Sequence, residues 1–376
     1  MKPASRNETG RARPVLAIGT TPRGEALRGA RSALQGRFES VAREKVDDGW
    51  TPDDTPPPAL VTRVTIERAR SILSTNESPD IPFEVSINPY RGCEHGCIYC
   101  YARPSHAYLD LSPGLDFESR LFAKTNAADL LREALAKPGY VPRPIAFGTN
   151  TDCYQPIERR HRVMRELLEV LAACDHPLSI VTKSALVERD LDLLAPMAVK
   201  NLVKVFVSIN TLDRTLARRL EPRAASPQRR LDTLRALHRA GVPAGVMVAP
   251  VIPALTDKSI EEVVEAAAAA GATTAGVIVM RLPNEVKPLF TAWLAANYPL
   301  RAEHVMNVVR QLRGGRENDP RFGTRMTGTG NHAELIRRRF DLACRRFGLN
   351  EERRGQGALD TGLFRPPVAG GQMALF

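Results

Sequence analysis

The sequence lacks any apolar run long enough to cross a membrane. Its longest uncharged apolar stretch, Ala266 to Met280, is shorter than the ~20 residues that a bilayer requires. The first residues, Met-Lys-Pro-Ala-Ser-Arg-Asn-Glu, lack the apolar centre of a secretory signal. No internal repeat is visible. These absences exclude the membrane-spanning and repeat classes, and they predict a cytoplasmic protein with no membrane partner.

The sequence also has few cysteines, six in 376 residues. A chain of this length buries roughly three quarters of its unfolded surface, so it needs no disulfide bonds for stability. Six cysteines in such a chain favour metal or redox chemistry over a disulfide framework. The hydrophobic fraction of 43% and the charged fraction of 25% are typical of a globular protein.

Charge and flexible residues are distributed unevenly along the chain. Lys and Arg exceed Asp and Glu by 53 − 42 = 11, which makes a polyanionic partner plausible. We expect residues 1–60 to be a largely disordered extension, with the pieces around Phe38 and Trp50 docking on the core. We expect residues 351–376 to be a flexible tail.

Between these ends, short β-rich runs alternate with amphipathic helical runs. The predicted strands are Glu84–Asn88, Ile145–Gly148, Leu178–Thr182, Leu202–Ile209, Ala244–Val251 and Gly276–Met280. The predicted helices are Asn126–Ala136, Arg160–Ala173, Arg189–Ala195, Pro227–Ala240, Ser259–Ala270 and Lys287–Asn297. Helical crossovers imply parallel strands, so we predict an α/β fold with a partial (β/α)6 barrel over residues 80–300. A helical extension is predicted over 301–350, and the chemistry is expected at the carboxyl ends of the strands.

Three cysteines follow the first predicted strand within eight residues, in the pattern CxxxCxxC. They are Cys93, Cys97 and Cys100. Three thiolates can bind three irons of a [4Fe-4S] cluster, which leaves the fourth iron free for an outside ligand. The alternative is a structural zinc site, which needs four ligands and commonly two spaced pairs. No second CxxC pair is present, although His95 or His106 could supply a fourth ligand.

This pattern resembles the radical S-adenosylmethionine (SAM) superfamily, including the aromatic Tyr99 before the last cysteine. The flanks Asn-Pro-Tyr-Arg-Gly-Cys93 and Cys100-Tyr-Ala-Arg resemble the subgroup related to spore photoproduct lyase, annotated elsewhere as "DNA repair photolyase" proteins. The resemblance covers roughly residues 80–285. It implies a [4Fe-4S] cluster, SAM bound at its free iron, and reductive cleavage of SAM to methionine and a 5′-deoxyadenosyl radical. It also implies a reductase, flavodoxin or ferredoxin as electron donor.

The resemblance further implies SAM contacts at the predicted strand ends. The implied contacts are Tyr99, Gly148, Thr149, Asn150, Asp152, Lys183, Ser208, Asn210 and Arg223. A lysine suits the carboxylate of SAM, and a hydroxyl and an amide suit its ribose. Spore photoproduct lyases use a cysteine as a hydrogen donor near this region. That donor aligns with Thr149, but Cys153 is retained as a candidate for a redox or hydrogen-atom role.

Two features of the C-terminal region point to nucleic acid. Residues 310–376 contain 13 Arg against 7 Asp and Glu, and clustered arginines can neutralise phosphates. The last five residues, Gln372 to Phe376, resemble a bacterial sliding-clamp-binding peptide. The predicted function is therefore a radical SAM enzyme that acts on nucleic acid in repair or modification, and the resemblance to spore photoproduct lyase implies a lyase-type reaction. The alternatives are a radical SAM enzyme that modifies a protein or small molecule, and a non-catalytic zinc-stabilised adaptor on DNA.

Overall fold

The computed structural model describes residues 28–39, 60–351 and 358–367. Trp50 and the clamp-like peptide Gln372 to Phe376 lie outside these ranges, so the predictions made for them stay predictions. No helix within the described ranges has the length and apolar character needed to cross a membrane.

The described residues form ten strands and eleven α-helices. The strands are β1 (Arg63–Glu67), β2 (Leu73–Thr75), β3 (Val85–Ile87), β4 (Tyr90–Arg91), β5 (Arg120–Lys124), β6 (Ile145–Phe147), β7 (Leu178–Thr182), β8 (Val203–Ser208), β9 (Ala244–Val251) and β10 (Thr274–Val279). The helices are α1 (Asp116–Ser119), α2 (Ala127–Leu135), α3 (Glu158–His161), α4 (Val163–Ala173), α5 (Leu191–Val199), α6 (Arg214–Leu220), α7 (Pro227–Arg239), α8 (Ile260–Ala269), α9 (Val286–Asn297), α10 (Ala302–Leu312) and α11 (Gly330–Arg346). Three short 3₁₀ helices span Arg103–Leu109, Ala185–Asp190 and Asp257–Ser259.

The main sheet has seven strands in the order β10-β9-β8-β7-β6-β3-β2. Six strands of this sheet are parallel, namely β3, β6, β7, β8, β9 and β10, and β2 is antiparallel to β3. These six parallel strands are the ones that the sequence predicts, with bounds that differ by a few residues. Since β2 and β10 do not pair with each other, the sheet is open, as a partial barrel requires.

Helices cover the sheet through apolar stripes at helical spacing. In α4 the predicted stripe of Val163, Leu167, Val170 and Leu171 is buried. Each such side chain contributes roughly 1.5–3 kcal/mol of transfer free energy when it leaves water. The predicted helix Arg160–Ala173 is interrupted at Arg162, whose φ of 54° separates α3 from α4.

A second, three-stranded sheet has the order β1-β5-β4 and is absent from the sequence predictions. Strand β1 is parallel to β5, and β4 is antiparallel to it. Since β4 is only two residues long and ends at Arg91, this sheet leads directly into the cysteine motif.

At both chain ends, the described residues contact the rest of the protein. We name residues 28–39 the N-terminal strap. Its Gly29 and Ala30 backbone N–H groups donate to the Glu118 carboxylate at 2.9 and 2.8 Å. In the tail, Phe364 packs against Tyr140 and His176, and the Arg365 N–H donates to the Cys174 carbonyl. Backbone groups make these contacts together with side chains, among them Phe364 of the tail and Phe38 of the strap, whose ring centre lies 5.0 Å from that of Tyr108.

Candidate functional site

The predicted site residues lie together at the carboxyl ends of the parallel strands, which we call the mouth. Gly148 to Asp152 follow β6, Lys183 follows β7, and Ser208 and Asn210 lie at the end of β8. The cysteine motif, residues 93–100, follows β3 and β4, and we call it the cysteine loop. The expectation of chemistry at this edge of the sheet therefore agrees with the positions of these residues.

The three motif cysteines are free thiols in a water-poor setting. Cys93 and Cys97 are 7% and 8% exposed, and Cys100 is partly buried. Burial raises the pKa of Cys93 well above its usual value, and the charges of Asp152, Cys97 and Cys100 add to that rise. Burial likewise raises the pKa of Cys97 to about 12. The Gly96 N–H donates to the Cys93 carbonyl at 3.3 Å and the Cys100 N–H donates to the Cys97 carbonyl at 3.2 Å, so tight turns hold the three cysteines within one short loop.

The chemistry of the donor set is compatible with an iron–sulfur cluster. Three thiols lie on one short loop, and a cubane cluster binds each thiolate at a different corner. A mononuclear zinc site instead draws four ligands onto one atom. Within the described ranges, no group of three or more His, Cys, Asp or Glu side chains is placed to hold one metal ion.

A buried ion pair supports the cysteine loop from behind. Arg103 is fully buried and donates to the carbonyls of Cys97 and Gly96 at 2.9 and 3.1 Å. It also pairs with the buried carboxylate of Glu118. Gly29 of the strap lies so close that a Cβ there would sit 1.8 Å from the Gly96 oxygen. Because a buried charge needs a partner, this pair fixes loop and strap together.

A second buried ion pair, between Glu221 and Arg230, was not predicted from the sequence. It contacts Tyr99, which was predicted as a site residue. The Tyr99 hydroxyl donates to Glu221, which also pairs with Arg230. Arg230 lies on α7, which begins at Pro227 after the capping side chain of Ser226, and it donates to the Ser208 carbonyl at 2.8 Å. Burial alone would raise the pKa of Glu221, but Arg230 and Lys183 outweigh it and lower the pKa. Tyr99 thus anchors the cysteine loop to the ends of β8 and α6.

Asp152 connects the cysteine loop with β7. Its carboxylate accepts from the Thr182 hydroxyl at 2.8 Å and from the Lys183 N–H at 2.7 Å, and it lies 3.3 Å from His95 Nδ1. Burial favours its neutral form, but His95 and these hydrogen bonds lower its pKa to about 2. Since protein groups already engage this carboxylate, the structure favours a positioning role over the predicted contact with SAM.

The neighbouring residues of the β6 end also have protein partners. A Cβ on Gly148, whose φ is 75°, would lie 1.9 Å from the Val181 oxygen, so packing against β7 explains this glycine. The Thr149 carbonyl accepts from the Tyr101 hydroxyl. The Asn150 N–H donates to Asn88 at 3.1 Å. The side chain of Asn150 and the hydroxyl of Thr149 stay open to the predicted roles.

Asn210 is the mouth residue whose buried polar atoms best fit a ligand. The residue is 2% exposed, and neither its amide oxygen nor its amide nitrogen has a hydrogen-bond partner among the described residues. Ser208, two residues earlier, is 3% exposed at the same strand end. A buried amide without partners costs about 1–3 kcal/mol per unmade bond, so this site fits a polar ligand such as a ribose.

Lys183 and Arg223 differ in how free their charges are. The Lys183 ammonium has no hydrogen-bond or ion-pair partner among the described residues, while Cys97 and Glu221 lie within electrostatic reach. Arg223 instead donates to the Glu94 carboxylate at 2.7 Å. Lys183 therefore suits the predicted carboxylate of SAM, and Arg223 acts first as a support of the cysteine loop through Glu94.

Cys153 lies in the hydrophobic core with no exposed surface, and burial raises its pKa well above its usual value. A hydrogen-atom donor must reach the substrate, and this side chain is fully buried among core residues. The structure therefore favours the reading of Cys153 as a small core residue.

Comparison with known proteins defines the class of this site. Residues 87–267 match the family model described as "Radical SAM superfamily". The range includes the cysteine loop and the strand ends from β6 to β9. This part of the chain is therefore similar to the radical SAM superfamily.

Two solved structures of spore photoproduct lyase share its fold. The complex with a dinucleoside spore photoproduct has a TM-score of 0.56 at 18% identity, over 76% of this chain and 80% of that one. A double mutant with bound AdoMet and the dinucleoside gives a TM-score of 0.55 over the same shares. At this identity the likeness concerns the fold alone.

Sequence relatives are uncharacterised proteins. One from Mycobacterium tuberculosis is 43% identical over 221 residues, which are 58% of this chain and 65% of the relative. One from Methanocaldococcus jannaschii is 31% identical over 171 residues, 46% of this chain and 61% of the relative. The chain thus spans less than two thirds of the length of these relatives.

Proposed function

We propose that this chain is a radical SAM enzyme in which Cys93, Cys97 and Cys100 hold a [4Fe-4S] cluster and SAM binds at the mouth. The observation that carries the proposal is the cysteine loop itself, with three free thiols and with Lys183 within electrostatic reach of Cys97. The unpaired amide of Asn210 lies at the end of β8, at the same edge of the sheet. When bound, the cluster and SAM together supply a one-electron reductive cleavage that yields methionine and a 5′-deoxyadenosyl radical.

The protein groups of the mouth bind and orient rather than react. Lys183 supplies a compact cation for the SAM carboxylate, and Ser208 and Asn210 supply a hydroxyl and an amide for the ribose. The pairs Arg103–Glu118 and Glu221–Arg230 hold the cysteine loop rigid. Low exposure of Cys93 and Cys97 excludes water from the place where the radical would form.

The proposed substrate is nucleic acid, in a repair or modification reaction. Support comes from the net charge of +11, the basic C-terminal region, and the fold shared with a lyase that is solved with a dinucleoside photoproduct. On α11, however, Arg337 and Arg338 pair with Glu334, and Arg339 pairs with Glu261. These three arginines are therefore weak candidates for phosphate contacts.

The cluster is tested by anaerobic purification and iron analysis. The full chain is expected to be brown, to hold about four irons and to cleave SAM when dithionite is added. Cys97→Ala should lose iron and SAM cleavage, whereas Cys174→Ala, a buried cysteine outside the motif, should keep both. A colourless wild-type chain with one zinc would overturn the proposal and support the adaptor.

The substrate is tested by turnover with deuterated DNA and RNA. Transfer of label into 5′-deoxyadenosine identifies the nucleic acid from which hydrogen is removed. If no DNA or RNA transfers label while a peptide or metabolite does, the substrate proposal fails and the radical chemistry stands.

Two partner proposals complete the function. A flavodoxin, ferredoxin or reductase of the cytoplasm would supply the electron, which is tested by replacing dithionite with each donor.

The peptide from Gln372 to Phe376 would bind a bacterial sliding clamp, because its Gln and spaced apolar residues suit a pocket rim and its apolar pockets. Deleting these five residues should abolish clamp binding in a pull-down and leave SAM cleavage unchanged.

A further inference from the structure

Three arginines gather where β10 ends, beside the cysteine loop. Arg281 comes two residues after β10, and the segment of Arg313 and Arg325 packs against the same strand end. The three charges also influence one another, because, besides the larger effect of burial, Arg325 lowers the pKa of Arg281 and Arg281 lowers the pKa of Arg313. Such a concentration of like charge is unfavourable unless anions balance it.

Two of these arginines already have protein partners. Arg313 is buried and donates to four backbone carbonyls, among them Met280 at 2.6 Å. Arg325 pairs with Asp80 in the loop between β2 and β3, and the backbone N–H of Gly323 donates to the same carboxylate at 2.6 Å. Asp80 is thus already shared by Arg325 and Gly323.

Arg281 has no carboxylate partner among the described residues. Its Nε is buried without a hydrogen bond, and its polar contact there is with the Met326 sulfur at 3.7 Å. Its guanidinium lies 5.5 Å from the ring centre of Tyr101, the residue after Cys100. A partly buried guanidinium with unused donors is suited to a planar or tetrahedral oxyanion.

The surroundings indicate the kind of anion. Tyr101 also donates to the Thr149 carbonyl, so one side chain joins the ends of β6 and β10 and places Arg281 at the mouth. Tyr101 is 47% exposed and Phe322, under the Arg325 guanidinium, is 60% exposed. Exposed rings beside a cation are typical of sites that hold single-stranded nucleic acid, because bases stack on rings while arginines bind phosphates.

We propose that Arg281 binds a backbone phosphate of a nucleic-acid substrate at the mouth, beside the cysteine loop. The inference rests on the proposed function and deepens it, because it assigns substrate binding to a particular residue. Arg325 stands ready as a second phosphate ligand when a polyanion displaces Asp80. The site lies at the β10 end, apart from the groups at β7 and β8 that we assign to SAM.

The test measures binding of the full, anaerobically reconstituted chain to fluorescein-labelled single-stranded DNA and RNA of about 20 nucleotides, between about 50 and 200 mM salt. For Arg281→Gln we expect a five- to tenfold weaker affinity at low salt. We also expect the slope of log affinity against log salt to fall by about 0.7, the value of one phosphate contact on a single strand. Arg281→Lys should retain the slope, since it retains the charge.

The matched control is Arg239→Gln. Arg239 is exposed at the end of α7, before the amino end of β9, so it changes the net charge equally but far from the mouth. The proposal is overturned if Arg281→Gln and Arg239→Gln bind alike, or if Arg281→Lys behaves as Arg281→Gln.

Should Arg281→Gln fail to fold, Asp80→Asn gives an independent measurement. Releasing Arg325 from Asp80 should strengthen binding by about twofold and steepen the salt slope, and unchanged binding would count against the site. If the wild-type chain binds neither DNA nor RNA yet cleaves SAM, both the phosphate site and the nucleic-acid substrate fail, while the radical SAM function stands.

Discussion

The ion pair behind the cysteine loop and two polar groups at the mouth in front of it differ in whether they have hydrogen-bond partners. Behind the loop, Arg103 and Glu118 are fully buried and satisfy each other and the backbone around them. At the mouth, the Asn210 amide and the Arg281 Nε are buried without partners. The difference contrasts an ion pair that the protein itself satisfies with groups that are free to bind a ligand.

The largest expected effect comes from breaking the rear support. Glu118→Ala leaves the Arg103 guanidinium buried without a counter-charge and removes both hydrogen bonds to the strap, so the free energy of unfolding should fall by about 3–5 kcal/mol. Urea unfolding under anaerobic conditions measures the change. The exposed pair Arg132–Asp129 is the control, because Arg132→Ala should cost no more than about 1 kcal/mol. Equal losses in both variants would remove the distinction between the two regions.

A smaller change in the free energy of unfolding is expected when the pH is lowered, because of His106 in the same rear region. Burial lowers the pKa of His106 from 6.5 to about 4, so the unfolded chain binds a proton there at a higher pH than the folded chain does. This contribution is present above pH 6.5 and is lost as the pH falls, by about 2 kcal/mol between pH 7 and 5. His106→Gln should flatten the pH dependence of stability by that amount.

The control for this pH effect is His304→Gln, at an exposed position of α10. It should leave the pH dependence of stability unchanged. An unaltered pH profile in His106→Gln would show that the pKa of this histidine does not change on folding.

The smallest expected change in stability lies at the mouth. Asn210→Ala removes an amide that is unpaired without ligand, so the free energy of unfolding should stay within about 1 kcal/mol of wild type. Affinity for SAM, measured by calorimetry on the reconstituted chain, should fall about tenfold, because one or two hydrogen bonds to ligand are lost. A large loss of stability with normal SAM affinity would place Asn210 with the rear support instead.

The six parallel strands could be predicted because each is an apolar run between helices of crossover length, and the cysteine motif because its spacing is local. Strands β1, β4 and β5 escaped prediction, since a run such as Arg63–Glu67 is mostly exposed and pairs only through distant backbone. The docking of Gly29 and Ala30 also escaped prediction, because the Glu118 carboxylate accepts from their backbone N–H groups.

The supporting charges could not be found from the sequence. Glu118, Glu221 and Arg230 read as ordinary surface residues, and only their burial in pairs reveals their role. Arg281 was not predicted either, because only the three-dimensional structure shows whether a side chain has a partner. For the residues at the β6 end the sequence predicted the place correctly, while Asp152 and Gly148 serve packing and positioning there.

The strap has a consequence for how the protein matures. Gly29 and Ala30 can dock only after Glu118 and Gly96 have reached their places, because their contacts span nearly 90 positions of the chain. Ala30 packs in the same apolar cluster as Cys97, so the docked strap covers the cysteine loop on that side. If the thiols hold a cluster as we propose, a variant with an undocked strap should lose iron faster in air than the wild-type chain does.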